Sequence, residues 1–229
     1  MMAQIVAWCW MLVTLALYWG VKWGYRQHRA WWSSPLIAVP ALLILLVQLL
    51  HEPFAEYFQV THWLGWMLGP ATVAFAVPIY EHRQLIRKHW LSLSAGVLVG
   101  MPVAVISSVM LARWLNLSDL LQRSLAPRSI STPFALVTTG SIGGSPQLTA
   151  VFVVITGVCG MLFGEMMLAL LPLRSKLARG ALFGAAAHAA GTAKALEIGA
   201  EEGVVASLTM MLGGVATVFA APLIAMYLQ

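Results

Sequence analysis

The sequence predicts an all-α integral membrane protein that crosses the bilayer several times. Of its 229 residues, 60% are hydrophobic and only 9% are Asp, Glu, Lys or Arg, and the mean hydropathy is +0.84. Soluble domains carry about 25% charged residues, so a water-soluble globule is excluded. The charges fall in short clusters between apolar runs, some of which contain several glycines and prolines. These features predict about six to eight membrane segments, including broken or re-entrant half-helices.

Stretches without Asp, Glu, Lys or Arg mark the expected spans. They run over 1–21, 30–51, 57–80, 89–112, 129–164, 180–193 and 203–229. A bilayer core of about 30 Å needs roughly 20 helical residues, so the first four stretches and the last each fit one spanning helix. The first stretch has no preceding basic residue and no cleavage site after it, so we expect a retained span rather than a signal peptide.

The long stretch 129–164 is too long for one crossing and too short for two with a loop. Gly and Pro at high density break helices. We therefore expect a short helix over about 132–139, a glycine-rich break at 140–147, and a full span over about 148–170.

The short stretch 180–193 has the opposite problem, because 14 residues barely span a bilayer. Its glycines and the alanines around His188 indicate a tightly packed or re-entrant piece. Non-helical backbone at membrane depth is tolerated only where protein or a water-filled cavity covers it. Both unusual stretches therefore predict an internal cavity.

A third interrupted piece, 71–77, lies between two prolines and aligns with 131–137 when shifted by 60 residues. In each case a broken piece precedes a long glycine-containing span. This pattern fits an inverted internal repeat of 63–115 and 128–229, after N-terminal helices in 1–62, within a single transmembrane domain covering 1–229, although the identities are few and a chance match is the alternative. Paired interrupted segments are typical of the binding sites of secondary transporters.

The net charge of +5 comes from loop clusters that follow the first, third and 148–170 spans. By the positive-inside rule these loops are cytoplasmic and the N-terminus is outside, which leaves Arg113, Arg123 and Arg128 on the wrong side. No basic face for nucleic acid is expected. Cys9 and Cys159 lie in apolar runs without metal-ligand spacing, and no hydrolase motif occurs. We expect no enzyme, no metal and no cofactor.

The glycine-rich break offers backbone N–H groups and hydroxyls where a helix begins near Gln147. Helix N-termini favour anions, and the absence of a following Lys excludes a phosphate loop. A small carboxylate fits this chemistry, and a plain loop between two spans is the alternative. The candidate contacts are Ser141, Gly143, Gly144 and Ser145.

His188 and Lys194 are ionisable residues in a small-residue membrane segment, where such groups tend to face the bundle interior. His188 suits proton coupling because imidazole titrates near neutral pH, although a packing role is the alternative. Lys194 lies about 120° away round a continuous helix, so the two share a face only if the chain breaks at Gly191. Lys194 supplies charge for an anion or extends to the interface. Glu165, near the end of a span, is a second proton-coupling candidate.

Several segments resemble the LrgB/CidB family, and the resemblance covers about residues 66–228. The segments are 68–80, 131–133, 141–144, 148–154, 187–195, 201–203 and 207–208. The resemblance implies a bacterial inner-membrane protein of the antiholin-like or holin-like kind, linked to murein hydrolase control and autolysis. Plastid relatives exchange glycolate and glycerate, and bacterial ones have been implicated in pyruvate movement. The family often has Ser before its His, whereas this chain has Ala187, so a role that needs that hydroxyl is in doubt.

Eight positions of this chain match the family segments and are carried over as candidates. They are Thr72, Thr132, Gly143, Gly144, His188, Gly191, Thr192 and Lys194. Their assignment to substrate contact follows from the broken helices and not from the resemblance.

Two functions from different classes fit these observations. The first is a secondary transporter of small monocarboxylates (glycolate, glycerate, pyruvate or lactate) that works by alternating access, with proton coupling as an option. The second is an antiholin-like regulator of murein hydrolases that acts with a small holin-like partner of the LrgA/CidA type. The expected partners are otherwise the lipid bilayer, the carboxylate and a second copy in a homodimer.

Overall fold

A computed structural model describes residues 2–27, 33–74 and 76–228. The helices are α1 (Met2–Gln27), α2 (Pro35–Leu49), α3 (Phe54–Trp66), α4 (Leu68–Ala74), α5 (Ala76–Glu81), α6 (Arg83–Trp114), α7 (Asp119–Leu125), α8 (Thr132–Ile142), α9 (Pro146–Leu170), α10 (Lys176–Ile198), α11 (Ala200–Phe219) and α12 (Ala221–Tyr227). No strand occurs in the described ranges, and α6, α9 and α11 are long and apolar enough to cross a membrane. The all-α membrane fold is therefore confirmed, whereas the number of spans stays a prediction.

The chain forms two compact units, residues 1–70 and 71–229. In the first unit α1 packs against α2 and α3, and the rings of Trp10 and Tyr57 meet edge to face with centroids 5.7 Å apart. All the candidate functional residues belong to the second unit, which is built around α9, α10 and α11.

The single span expected over 57–80 is wrong, because α3, α4 and α5 divide this stretch. Proline has no N–H to give to the carbonyl four residues earlier, and its ring clashes with that carbonyl. Pro70 therefore disfavours a helix continuing through Trp66, where α3 ends. Pro78 acts in the same way on Ala74, where α4 ends.

The single span expected over 203–229 is also divided. The helix α11 begins earlier than expected and ends at Phe219, and Pro222 lies in the first turn of the short helix α12. Pro222 cannot donate to the carbonyl of Val218, and the last N–H of the helix, that of Ala220, donates to the carbonyl of Ala216 at 2.9 Å. A proline in a first helical turn loses no intrahelical bond, so the chain restarts there.

Glycines let α10 approach its neighbours at backbone distance. A methyl group on Gly160 or Gly164 of α9 would collide with Ala186 or Phe183 of α10. A methyl group on Gly180 or Gly184 of α10 would collide with the backbone of α11. Small residues at four-residue spacing are the usual means of close helix packing in membranes.

Candidate functional site

The helix α10 does not cross the unit but doubles back on itself. At His188 the backbone has φ 39° and ψ −119°, which interrupts the helix. A straight helix of 23 residues would hold its ends about 33 Å apart. Instead, Lys176 Nζ at its beginning lies 2.9 Å from Glu201 Oε2, and Glu201 lies three residues after the end of α10, in the first turn of α11. Both ends of α10 therefore lie at the same level, and we call Lys176–Ile198 hairpin 2.

The two limbs of hairpin 2 can be followed along α9. The first limb passes Gly164 with Phe183, then Gly160 with Ala186, and reaches Gly157 with the ring of His188. The second limb returns, because Lys194 forms an ion pair with Glu165, about 12 Å back along α9. Gly191 packs on the carbonyl of Phe183, so the limbs also touch each other. The segment around His188 is interrupted at His188 and not at Gly191, and its re-entrant path in the membrane stays a prediction.

A second re-entrant segment is formed by α7, the linker 126–131 and α8, and we call residues 119–142 hairpin 1. The carbonyl of Ser124 accepts from Thr149 Oγ1 at 3.0 Å, near the beginning of α9. Arg128 then reaches Thr156, with Nη1 3.2 Å from its hydroxyl, about 10 Å further along α9. The chain returns to the first level at Thr139, whose hydroxyl lies 2.9 Å from that of Thr149.

The tips of the two hairpins meet near the middle of α9. Hairpin 1 enters from the beginning of α9 and hairpin 2 from its end, and their tips contact the adjacent residues Thr156 and Gly157. The imidazole of His188 also interacts with the main chain and the charge of Arg128. Each hairpin follows a long helix, α6 or α9. The expected repeat bounds, 63–115 and 128–229, stay a prediction.

Three buried polar atoms have no hydrogen-bond partner among the described residues. They are His188 Nε2, Ser131 Oγ and Thr138 Oγ1; His188 and Ser131 are each 3% exposed, and Thr138 lies within α8. The carbonyl of His188 is used, because Thr192 Oγ1 donates to it at 2.9 Å. Buried polar side chains are normally hydrogen-bonded, so each of these atoms is a point where a bound polar group would be satisfied.

The glycine-rich segment forms a tight turn of three residues instead of the long break expected over 140–147. Gly143 ends α8 at φ 76°, a left-handed conformation that costs little only for glycine. The N–H of Gly144 donates to Thr139 at 3.1 Å. The N–H of Ser145 donates to Ser124 Oγ at 2.8 Å, while its hydroxyl accepts from Leu148. Ser141 is helical and bonds its own helix at Val137.

Lys194 is engaged by carboxylates on both sides. It pairs with Glu165 of α9 and lies 3.2 Å from Glu197 Oε2 in its own limb. Its side chain is 24% exposed, so the charge is both partly buried and neutralised. The ammonium group of Lys194, which was expected to bind an anion, thus already has two counter-ions.

The candidate residues fall at three levels of α9. Ser141, Gly143, Gly144 and Ser145 lie at its beginning, while Thr132, His188, Gly191 and Thr192 belong to the hairpin tips and the turns next to them. Lys194 and Glu165 lie about 12 Å beyond His188. Thr72 lies in α4, but its side chain is outside the described part of the structure. The roles of all these residues in binding stay predictions.

The sequence analysis does not predict a site role for Arg128, because it treats this residue as a loop charge on the wrong side of the membrane. Its Nε donates to Ser108 Oγ of α6 at 2.8 Å, and its Nη1 donates to Thr156 of α9. The available signal was its position, directly before the 36 uncharged residues of 129–164. A charge at the entrance to a broken membrane segment marks a polar interior.

The other two discordant arginines bond the ends of helices. Arg123 Nη1 donates to the carbonyl of Ile142 at 2.9 Å, and Arg113 Nη2 donates to that of Tyr227 at 2.8 Å. The last carbonyls of a helix lack intrahelical donors, so each guanidinium satisfies one. No group of three or more potential metal ligands occurs among the described residues.

Comparisons with known proteins give one family. The LrgB-like family model matches residues 14–227. "Uncharacterized protein YwbG" of Bacillus subtilis (strain 168) is 38% identical over 212 residues, covering 93% of this chain and 94% of the relative. "Uncharacterized protein YxaC" of the same organism is 34% identical over 214 residues, covering 93% of each. "Antiholin-like protein LrgB" of Bacillus cereus (strain B4264) is 30% identical over 190 residues, covering 83% of each.

No solved structure matches this chain significantly. The family match extends over nearly the whole sequence, including both hairpins and the turn between them. It confirms the resemblance found in the sequence segments. The chain is a membrane protein that belongs to the LrgB-like family.

Proposed function

We propose that this protein is a secondary transporter of small monocarboxylates that works by alternating access. The observation that carries the proposal is the meeting of two oppositely directed hairpins, with His188 and Arg128 at their tips, near the middle of α9. Interrupted helices that meet at mid-depth supply backbone and side-chain polar groups to a substrate inside a membrane. A protein that only packed against lipid or a partner would gain nothing from such a polar centre.

The substrates we propose are glycolate, glycerate, pyruvate or lactate. All are small anions, and the hairpin tips bring a half-buried guanidinium and a buried imidazole together. An ionisable group at membrane depth is costly unless it is used or paired. The contacts proposed from the sequence at Thr72, Thr132, the 141–145 segment and 188–194 belong to this hypothesis.

Proton coupling is proposed through His188, with Glu165 as the second candidate. His188 Nε2 has no described partner, so it is available to exchange a proton with a bound acid. Glu165 is already engaged by Lys194. The two candidates therefore differ in how much rearrangement a proton transfer would need.

The proposed location is the inner membrane of a bacterium, with a homodimer as the proposed assembly and no catalytic activity. The second candidate function is antiholin-like regulation of murein hydrolases with a small holin-like partner, which the printed name of the Bacillus cereus relatives favours. A transporter could also change lysis indirectly through acid balance, so that name is compatible with both functions.

The test is uptake of labelled glycolate or pyruvate into proteoliposomes that contain the purified protein. We expect saturable uptake that His188→Gln strongly reduces. The matched control is His82→Gln, which directly precedes α6, 26 residues before Ser108. Inert vesicles together with co-purification of a small holin-like protein would favour regulation instead. Unsaturable leakage of unrelated solutes would indicate a passive pore. Saturable uptake that His188→Gln does not change would contradict the proposed centre.

A further inference from the structure

The tip of hairpin 1 separates two clefts in the second unit. One has a volume of about 360 Å³, and its polar lining is formed by Arg128, Ser108 and Thr156. The other has a volume of about 40 Å³ and is lined by Ser129 and by residues of α6, α10 and α11, several of them small. Successive residues of the linker therefore face different spaces, and only the larger cleft receives the guanidinium.

The larger cleft has one cationic group and otherwise almost entirely apolar walls. The apolar part is formed mainly by leucines of α6 and of the 115–125 segment, together with Phe152 and Ile155 of α9. Leu115, Leu117 and Leu125 flank α7, where hairpin 1 enters, whereas Arg128 lies at the tip. The cleft therefore extends from one end of the unit to the middle of α9, with the positive charge at its inner end.

The charge of Arg128 is held in place but not neutralised. Its two described hydrogen bonds go to the hydroxyls of Ser108 and Thr156, and no described carboxylate lies within ion-pair distance of it. A guanidinium has five N–H donors, of which these bonds use two. The remaining donors include those of Nη2, and a forked arrangement of donors suits a carboxylate.

A second polar group lies close to Arg128. His188 is 3% exposed, its Nε2 has no described partner, and its ring contacts Gly157, next to Thr156. Thus the two hairpin tips contact consecutive residues of α9, Arg128 at Thr156 and His188 at Gly157. The imidazole does not line the larger cleft, so among the described residues Arg128 is the ionisable group that faces it.

We infer that Arg128 binds the carboxylate of the transported acid at the inner end of the larger cleft, and that Ser108 and Thr156 position its guanidinium. This inference rests on the proposed transport function and names its anion-binding residue. One cation matches one carboxylate, and a short apolar body fits the leucine-lined walls. A second carboxylate would be buried against apolar groups without a partner, which is costly, so dicarboxylates should be excluded.

The experiment measures saturable uptake of labelled pyruvate into proteoliposomes for four variants. Arg128→Gln should lower uptake about 100-fold, because the site loses its charge. Arg128→Lys keeps the charge but loses the forked arrangement of N–H donors, so it should raise KM about 10-fold. Thr156→Val keeps Arg128 but removes one of the two hydrogen bonds that position its guanidinium. KM should therefore rise several-fold while kcat stays within about twofold. The matched control, Arg113→Gln, removes an exposed arginine that bonds Tyr227, and KM should not change.

Competition tests the class of ligand in the same vesicles. Excess lactate should inhibit uptake of labelled pyruvate, whereas succinate at the same concentration should not. Equal inhibition by succinate would contradict the single-cation site. If Arg128→Gln does not elute as a folded protein on size-exclusion chromatography, Arg128→Lys and Thr156→Val decide whether Arg128 binds the carboxylate, because both variants retain a filled core.

Binding of labelled pyruvate to the detergent-purified protein separates this inference from the proposed function. Binding by the unaltered protein that Arg128→Gln abolishes supports the site, even where vesicles show no transport. Transport with an unchanged KM in Arg128→Gln overturns the site and leaves the transport function standing. Neither binding nor uptake by the unaltered protein overturns both.

Discussion

The turn between α8 and α9 and the break in α10 both interrupt helices of the same unit, but they treat their polar groups differently. At the turn, Gly144 and Ser145 donate their N–H groups to nearby oxygens, and the Ser145 hydroxyl accepts from the next helix. At the break, the imidazole of His188 is buried with Nε2 unpartnered. The turn pairs these polar groups within the protein, whereas the break leaves the Nε2 of His188 without a described partner.

The difference shows which interruption is structural. A glycine at positive φ with local hydrogen bonds costs little and needs nothing from a ligand. A histidine at φ 39° is strained, since left-handed backbone is unfavourable for residues with a Cβ, and its Nε2 gives up water without a replacement among the described residues. Such costs are typical of functional positions. The α10 break is thus the better candidate for a substrate centre.

The largest expected effect comes from His188→Gly, which separates the backbone of the break from its imidazole. Glycine adopts the conformation at this position readily, so the protein should fold, and it should be about 1–2 kcal/mol more stable than His188→Ala, which keeps the strain. Uptake should nevertheless fall about 100-fold, the size of effect expected when a proton-transferring group is lost. Thermal unfolding and vesicle uptake measure the two quantities. Unreduced uptake in the Gly variant would make the imidazole a packing group.

The interruption and close packing of hairpin 2 were predictable because their cause is local. Gly180, Gly184 and Gly191 with many alanines produce a segment that is too short to span and small enough to pack closely. The contacts with Glu202 and Ala206 of α11 show why those glycines are needed. The position of the break was not predictable, because β-carbon strain disfavours a break at His188 and favours one at Gly191.

The role of Arg128 was not predictable, since it depends on three helices that are distant in sequence. Ser108 is 20 residues before it and Thr156 is 28 residues after it. In the sequence, Arg128 is only an arginine at the edge of an apolar stretch. Similarly, the sequence contains four glycines or prolines within 140–146, and only the packing of Arg123 and Thr139 around Gly144 decides that the turn is confined to 143–145.

The second-largest effect is expected at the α8–α9 turn and concerns stability. A methyl group in Gly144→Ala would lie 2.8 Å from Thr139 Cγ2 and 3.0 Å from the backbone of Arg123, so the variant should lose about 1–3 kcal/mol. The matched control is Gly140→Ala, where the added methyl meets nothing within 4 Å and helix propensity gains about 1 kcal/mol at most. Denaturation in detergent measures both. The KM for pyruvate decides whether the turn also contacts substrate: a raised KM in Gly144→Ala at full folding would support the contacts proposed for the 141–145 segment, and an unchanged KM in both variants would leave the turn a structural element.

The smallest effect is expected from Glu165→Gln, which removes one of the two carboxylates around Lys194. Glu165 is 40% exposed and Lys194 keeps Glu197, so the loss of stability should be below about 1 kcal/mol, as for other solvent-accessible ion pairs. Glu201→Gln, which opens the exposed pair with Lys176, is the control for a pair at the base of the same hairpin. Uptake driven by an imposed pH gradient decides between the two proton-coupling candidates. If His188 carries the proton, Glu165→Gln retains gradient-driven uptake, because the carboxylate only fastens the returning limb to α9. Loss of the gradient dependence with uptake otherwise intact would assign coupling to Glu165, and the break at His188 would then serve the anion alone.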